Sequence, residues 1–121
     1  MWSFRVIFCY VCFVINFPLP STEEKLRLDE FKKQRSQLAG SKFSQFCTTQ
    51  EGNGPLHYNW TKNGHLLPVT GATHQITSAK DSSLLIIDPL ALSDAGNYSC
   101  TVSNNVGQFD HQTTMLIVKG F

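Results

Sequence analysis

The chain predicts an all-β fold in which two antiparallel sheets pack face to face, and three observations predict it. Short segments alternate apolar and polar residues with a period of two, and Gly-, Asn- and Pro-rich turns separate them. Cys47 is followed by Trp60 13 residues later and by Cys100 53 residues later. The run Ser93-Asp94-Ala95-Gly96-Asn97-Tyr98-Ser99-Cys100 supplies an Asp-x-Gly-x-Tyr-x-Cys grouping, a much more specific signal than a cysteine pair alone.

The elements follow in order. Ser21-Thr22-Glu23-Glu24 offers a capping box for a short helix, but the alternation of Leu26 and Leu28 toward Phe31 favours a first strand. Residues 32–35 are basic and form a solvated kink between two halves of that strand, with Leu38 inward and Gly40 at the turn. The second strand covers residues 42–48, where counting by twos from Cys47 puts Gln45 and Phe43 on the core face and Phe46 outside. A buried amide needs partners or costs roughly 1–3 kcal/mol, so Gln45 either lies near water at the strand end or sits in a local bulge.

After the turn-rich residues 50–55, a strand over 56–62 sends Tyr58 and Trp60 inward. Asn63-Gly64 makes a tight turn into His65-Leu66-Leu67, which Pro68 ends. A strand over 73–78 precedes one over 82–88, in which Leu85 and Ile87 face in and Leu84 and Ile86 face out. Pro89 closes it and Leu90 returns to the core. Tyr98, Cys100 and Val102 then point inward, residues 104–107 turn the chain, and Leu116 and Val118 complete the core.

With these residues in view, 26–119 resembles an intermediate-set immunoglobulin domain of cell-adhesion molecules. The wording of residues 80–100 is similar to the Down syndrome cell adhesion molecule family of arthropods. The resemblance implies an immunoglobulin-like antiparallel β-sandwich whose sheets are bridged by Cys47 and Cys100. Trp60 packs on that bridge, and the Tyr98 hydroxyl turns back onto the backbone. Asp94 and Gly96 complete the core markers; the family's ion pair from Asp94 to a basic residue has no evident partner here, since Lys80 lies near the wrong end of its strand. The interval between the cysteines is too short for the two extra edge strands of a variable-type domain. Closing a loop of that length stabilises the fold by about 2–5 kcal/mol.

At 121 residues the chain has room for one ordinary domain. Residues 1–22 read as a secretory signal peptide, with Arg5 before the 12-residue run 6–17 and a Pro-rich break after it. That run is shorter than the roughly 20 apolar residues of a membrane span, and no transmembrane segment is expected elsewhere. Residues 23–121 are then a single immunoglobulin-like domain, as a small secreted protein or as a fragment of a longer one. Cys9 and Cys12 leave with the leader rather than forming a redox or zinc pair. Subtracting Arg5 from 10 Lys+Arg leaves 9 against 9 Asp+Glu, so nothing draws a phosphate backbone and no nucleic acid partner is expected.

No nucleophile elbow, zinc helix or phosphate loop is present. His57, His65, His74 and His111 lack the neighbours a site requires, so no catalytic residue, metal, cofactor or small-molecule substrate is assigned and the chain is not expected to be an enzyme. Two sequons, Asn59-Trp60-Thr61 and Asn97-Tyr98-Ser99, place Asn59 and Asn97 outward as glycosylation candidates, with the bulky Trp60 unfavourable at the first. The expected function is an extracellular recognition module for adhesion, binding another protein and possibly its own copy (homophilic) through a face made of Phe46, Leu84 and Ile86. A soluble immune-type binding factor using its loops, or a spacer domain of a longer receptor, are the alternatives.

Overall fold

The computed structural model describes residues 25–120; the expected signal peptide, with Cys9 and Cys12, lies outside the described residues. Nine strands follow one another: β1 (Arg27–Leu28), β2 (Gln34–Leu38), β3 (Phe43–Glu51), β4 (His57–Lys62), β5 (His65–Leu66), β6 (His74–Ser78), β7 (Ser82–Ile87), β8 (Gly96–Ser103) and β9 (Phe109–Lys119), with a 3-10 turn at Leu92–Asp94 before β8. They form a four-stranded sheet in the order β1-β3-β7-β6 and a five-stranded sheet in the order β2-β9-β8-β4-β5. Period-two alternation decides which side chains meet between the sheets. Ser83, Leu85 and Ile87 of β7 and Tyr98, Cys100 and Val102 of β8 are buried, while their neighbours are not.

Phe43, Trp60, Leu85, Val102 and both cysteines are fully buried between the sheets, and Leu28, Leu90 and Leu116 extend the core to its edges. Full burial of a large side chain contributes about 1.5–3 kcal/mol, so these residues dominate cohesion. Cys47 is bonded to Cys100 with their Cα atoms 6.3 Å apart. Because Cys100 is in register with Trp60 across β4 and β8, the indole lies beside the bridge.

The first strand does break in two, and its halves join different sheets. β1 pairs antiparallel with β3, whereas β2 pairs parallel with β9. The break is earlier than expected, since the strand resumes at Gln34 within the basic segment. Leu38 is a correction: it is 54% exposed. β2 takes its phase from β9, and Leu38 is in register with Lys119 at the exposed end of that strand.

Side chains of β9 hold the crossing between the halves. Asp110 Oδ2 accepts a bond from the Leu28 amide at 2.9 Å, and Gln112 Oε1 accepts one from the Phe31 amide at 3.0 Å. Phe31 is thereby brought over the core, stacked 6.1 Å from Trp60 at an interplanar angle of 20°.

Candidate functional site

Gln45 is satisfied without a bulge. It is half-buried, its Oε1 accepts from Arg35 Nη1 at 2.7 Å, and its Nε2 donates to the Phe46 carbonyl at 2.9 Å. Arg35 comes from the opposite sheet, also donates to the Ser44 carbonyl at 3.2 Å, and lies 4.8 Å from the centroid of the Phe43 ring. The residues that looked out of place, a basic one in a kink and an amide on a core phase, close the sandwich edge together.

The Asp-x-Gly-x-Tyr grouping forms a local lock. The Tyr98 hydroxyl donates to the Asp94 carbonyl at 2.5 Å. Burial foremost, and the nearby Asp94 carboxylate second, push the phenol well above its ordinary range. Asp94 Oδ2 accepts from the Ala91 amide at 2.8 Å, so its carboxylate caps the 3-10 turn instead of forming the ion pair that the family pattern implies. Lys62 Nζ donates to the Ser93 carbonyl of the same turn. A Cβ at Gly96 would come within 2.9 Å of Asn63 Nδ2 and displace the Asn63 side chain. Asn63 uses that room to accept the Asn97 amide through its Oδ1 at 2.9 Å.

One buried polar contact was not anticipated. Trp60 Nε1 donates to Ser83 Oγ at 2.9 Å, and Ser83 Oγ lies 2.9 Å from Ser78 Oγ. Counting two residues back from Leu85 was the signal that puts Ser83 inside.

Two outer faces then remain. On the four-stranded sheet, Phe46 is directly opposite Leu84, and Ile86 is directly opposite Ser44. Phe46 is 58% exposed, Leu84 and Ile86 are half-buried, and Gln75 and Thr77 of β6 border them. The three apolar side chains adjoin one another on this face, and Phe31 of the N-terminal segment stacks on Trp60. On the five-stranded sheet Asn59 and Asn97 are both exposed. Asn59 is in register with Thr101 and Asn97 with Met115.

The histidines do not gather. His57 Nε2 is 3.2 Å from Asn105 Oδ1 and His74 Nε2 is 2.8 Å from the Pro68 carbonyl. Among the described residues no group of three His, Cys, Asp or Glu is placed to hold a metal ion, and no helix is long and apolar enough to cross a membrane.

A family model of the immunoglobulin domain matches residues 30–104. Human junctional adhesion molecule A is 32% identical over 78 residues, 60% of this chain and 26% of that protein. The membrane-bound isoform of rat pro-neuregulin-1 is 33% identical over 102 residues, 83% of this chain and 15% of that protein. The chicken cell adhesion molecule DSCAML1 is 30% identical over 71 residues, 59% of this chain and 3% of that protein. The chain thus spans about a quarter or less of the length of these relatives. The crystal structure of the Dscam1 Ig7 domain, isoform 5, superposes with a TM-score of 0.72 at 20% identity, over 79% of this chain and 98% of that one, which shows a shared fold. With the bridged sandwich, the buried tryptophan and the tyrosine lock already in place, the chain belongs to the immunoglobulin-domain family and within it resembles the Down syndrome cell adhesion molecules.

Proposed function

We propose that this domain is an extracellular recognition module for cell adhesion and that it binds a second copy of itself through the outer face of the four-stranded sheet. The observation that carries the proposal is the apolar cluster of exposed Phe46 with half-buried Leu84 and Ile86 on the adjoining strand, since contiguous apolar surface marks an interaction site more often than one exposed residue standing alone does. Resemblance to junctional adhesion molecule A and to DSCAML1, both named as adhesion molecules, supports the class of function. A two-fold contact puts the same patch on both copies. Completing the burial of Phe46, which is 58% exposed, contributes about 1–2 kcal/mol per copy, and half-buried Ile86 adds a smaller share.

Sedimentation of the mature protein across a concentration range tests this. The wild type is expected to self-associate, and Phe46→Glu or Ile86→Lys to abolish association with the disulfide and fold retained. Changes at the outward Thr101 or Ser103 should do little. A wild type that stays monomeric at every accessible concentration would sink the homophilic reading. The loop-binding alternative gains support from Val106, an exposed apolar residue in the connection between β8 and β9. If association survives Phe46→Glu and is lost in Val106→Asp, the loops replace the sheet face.

A further inference from the structure

We infer that Asn97 carries an N-linked glycan whose first N-acetylglucosamine seats in the groove beside it, over Met115 and Ile117. The inference rests on the extracellular placement proposed above, and on a different face from the one proposed for self-association.

The chemistry needs an asparagine two residues before a Ser or Thr in a chain that enters a secretory compartment, and Asn97-Tyr98-Ser99 supplies it. The sugar donor is a lipid-diphosphate-linked oligosaccharide. The Asn97 Nδ2 bonds to the anomeric carbon as that carbon's C–O bond to the diphosphate breaks. The amide loses one proton to a base, and lipid diphosphate leaves. No redox step is involved.

The surroundings then decide where the attached sugar lies. Asn97 is exposed and shares with Met115, Ile117 and Gly96 the lining of an open groove of about 360 Å³. Met115 is directly opposite Asn97 across β8 and β9, a position whose Cβ atoms are about 4.5–5.5 Å apart, with Ile117 on the diagonal at about 7–8 Å. Met115 is 46% exposed and Ile117 is half-buried. Asn63 accepts the Asn97 amide on the β4 side, and the groove shared with β9 lies on the other side of Asn97. A pyranose ring has one face made of C–H groups, and that face suits the aliphatic floor provided by Met115 and Ile117. Asn59 is opposite Thr101 and borders a smaller cleft of about 190 Å³ beside Leu67 and Val69, and its sequon carries the bulky Trp60 in the middle position.

Met115 is its own reporter, because the other methionine of the chain is Met1. The protein is secreted from eukaryotic cells held at the high-mannose stage, and an endoglycosidase trims each glycan to one N-acetylglucosamine. Met115 oxidation by dilute peroxide is then followed by mass spectrometry, since exposure governs formation of the sulfoxide. The wild type and Ser99→Thr, which keeps the sequon, are expected to carry the sugar at Asn97 and to oxidise several-fold more slowly than Ser99→Ala, which loses it. Asn59→Gln should leave the Met115 rate unchanged. Secreted, disulfide-bonded protein with Asn97 unmodified overturns the inference while leaving the extracellular reading in place. Occupied Asn97 with Met115 oxidising as fast as in Ser99→Ala overturns the seating.

Discussion

Replacing Ser83 with alanine isolates the energetic role of the buried Trp60 indole. Trp60 is fully buried, and its Nε1 donates to Ser83 Oγ, 2.9 Å away. Removing that hydroxyl deletes a single small atom, so the cavity is slight, but it leaves a dry N–H without an acceptor. An unsatisfied buried donor costs about 1–3 kcal/mol. The second bond that Ser83 makes, to Ser78 Oγ, matters less because Ser78 is exposed and water replaces the lost partner. Urea unfolding followed by the fluorescence of Trp60 should show a midpoint lowered by on the order of 1 M with an unchanged slope. A cycle with Trp60→Phe, which removes the donor, separates this contact from packing. Once the donor is gone, Ser83→Ala should cost little, giving a coupling of roughly 1 kcal/mol. Loss of less than about 0.5 kcal/mol in the single variant, or no coupling in the cycle, refutes the reasoning.

Two further predictions concern the sandwich edge and the tyrosine lock. Arg35→Ala removes both the ring contact to Phe43 and the bond to Gln45, for an expected loss of about 1–2 kcal/mol. Arg35→Lys keeps the charge without the planar fork and should recover only part of it, as thermal unfolding will read. Tyr98→Phe removes the bond to the Asp94 carbonyl, for about 0.5–1.5 kcal/mol. Because the folded phenol titrates higher than the unfolded one, the folded state keeps a proton that the unfolded chain gives up. That stabilisation is complete below pH about 10 and declines as pH rises above it. The variant should therefore lose stability less steeply than wild type on the alkaline side, and identical slopes would remove the phenol from the account.

Much of the sandwich was legible because strand periodicity is strict. Once Cys47, Leu85 and Cys100 are placed inside, counting by twos fixes Phe43, Ile87, Tyr98 and Val102 with them, and all four are buried. Leu38 escaped this counting because its strand changes sheets, and the phase of β2 is set by β9, about 80 residues away in sequence. Gln45 and Arg35 were each visible as anomalies, one too polar for its phase and the other too basic for a strand. Their pairing across the edge depends on the same parallel β2–β9 contact, which no local rule supplies. Asp94 was assigned to an ion pair by resemblance, whereas the geometry gives its carboxylate to the Ala91 amide three residues upstream. The inward phase of β9 likewise carries Asp110 and Gln112, polar residues that make little sense as core until the crossing from β1 to β2 is seen to need acceptors for the Leu28 and Phe31 amides.

The two outer faces constrain one another. Residues alternate sides along every strand, so the phase that buries Cys47 and Leu85 turns Phe46, Leu84 and Ile86 outward, and the phase that buries Trp60 and Tyr98 turns Asn59 and Asn97 outward. Both sequons therefore fall on the five-stranded sheet and the apolar cluster on the other. A branched sugar rooted at Asn97 sweeps across its neighbours on β8 and β9, and a close protein contact cannot form under it. On the two proposals together, self-association would use the face without a sequon, with Phe46 placed to meet its counterpart near a two-fold axis. If the sugar is absent, Met115 and Leu38 add exposed apolar surface on the other side, and association through both faces allows a molecule to bind two neighbours. The two proposals together therefore predict that protein glycosylated at Asn97 sediments no larger than a dimer, whereas Ser99→Ala forms larger species; equal sizes for both would break the link between them.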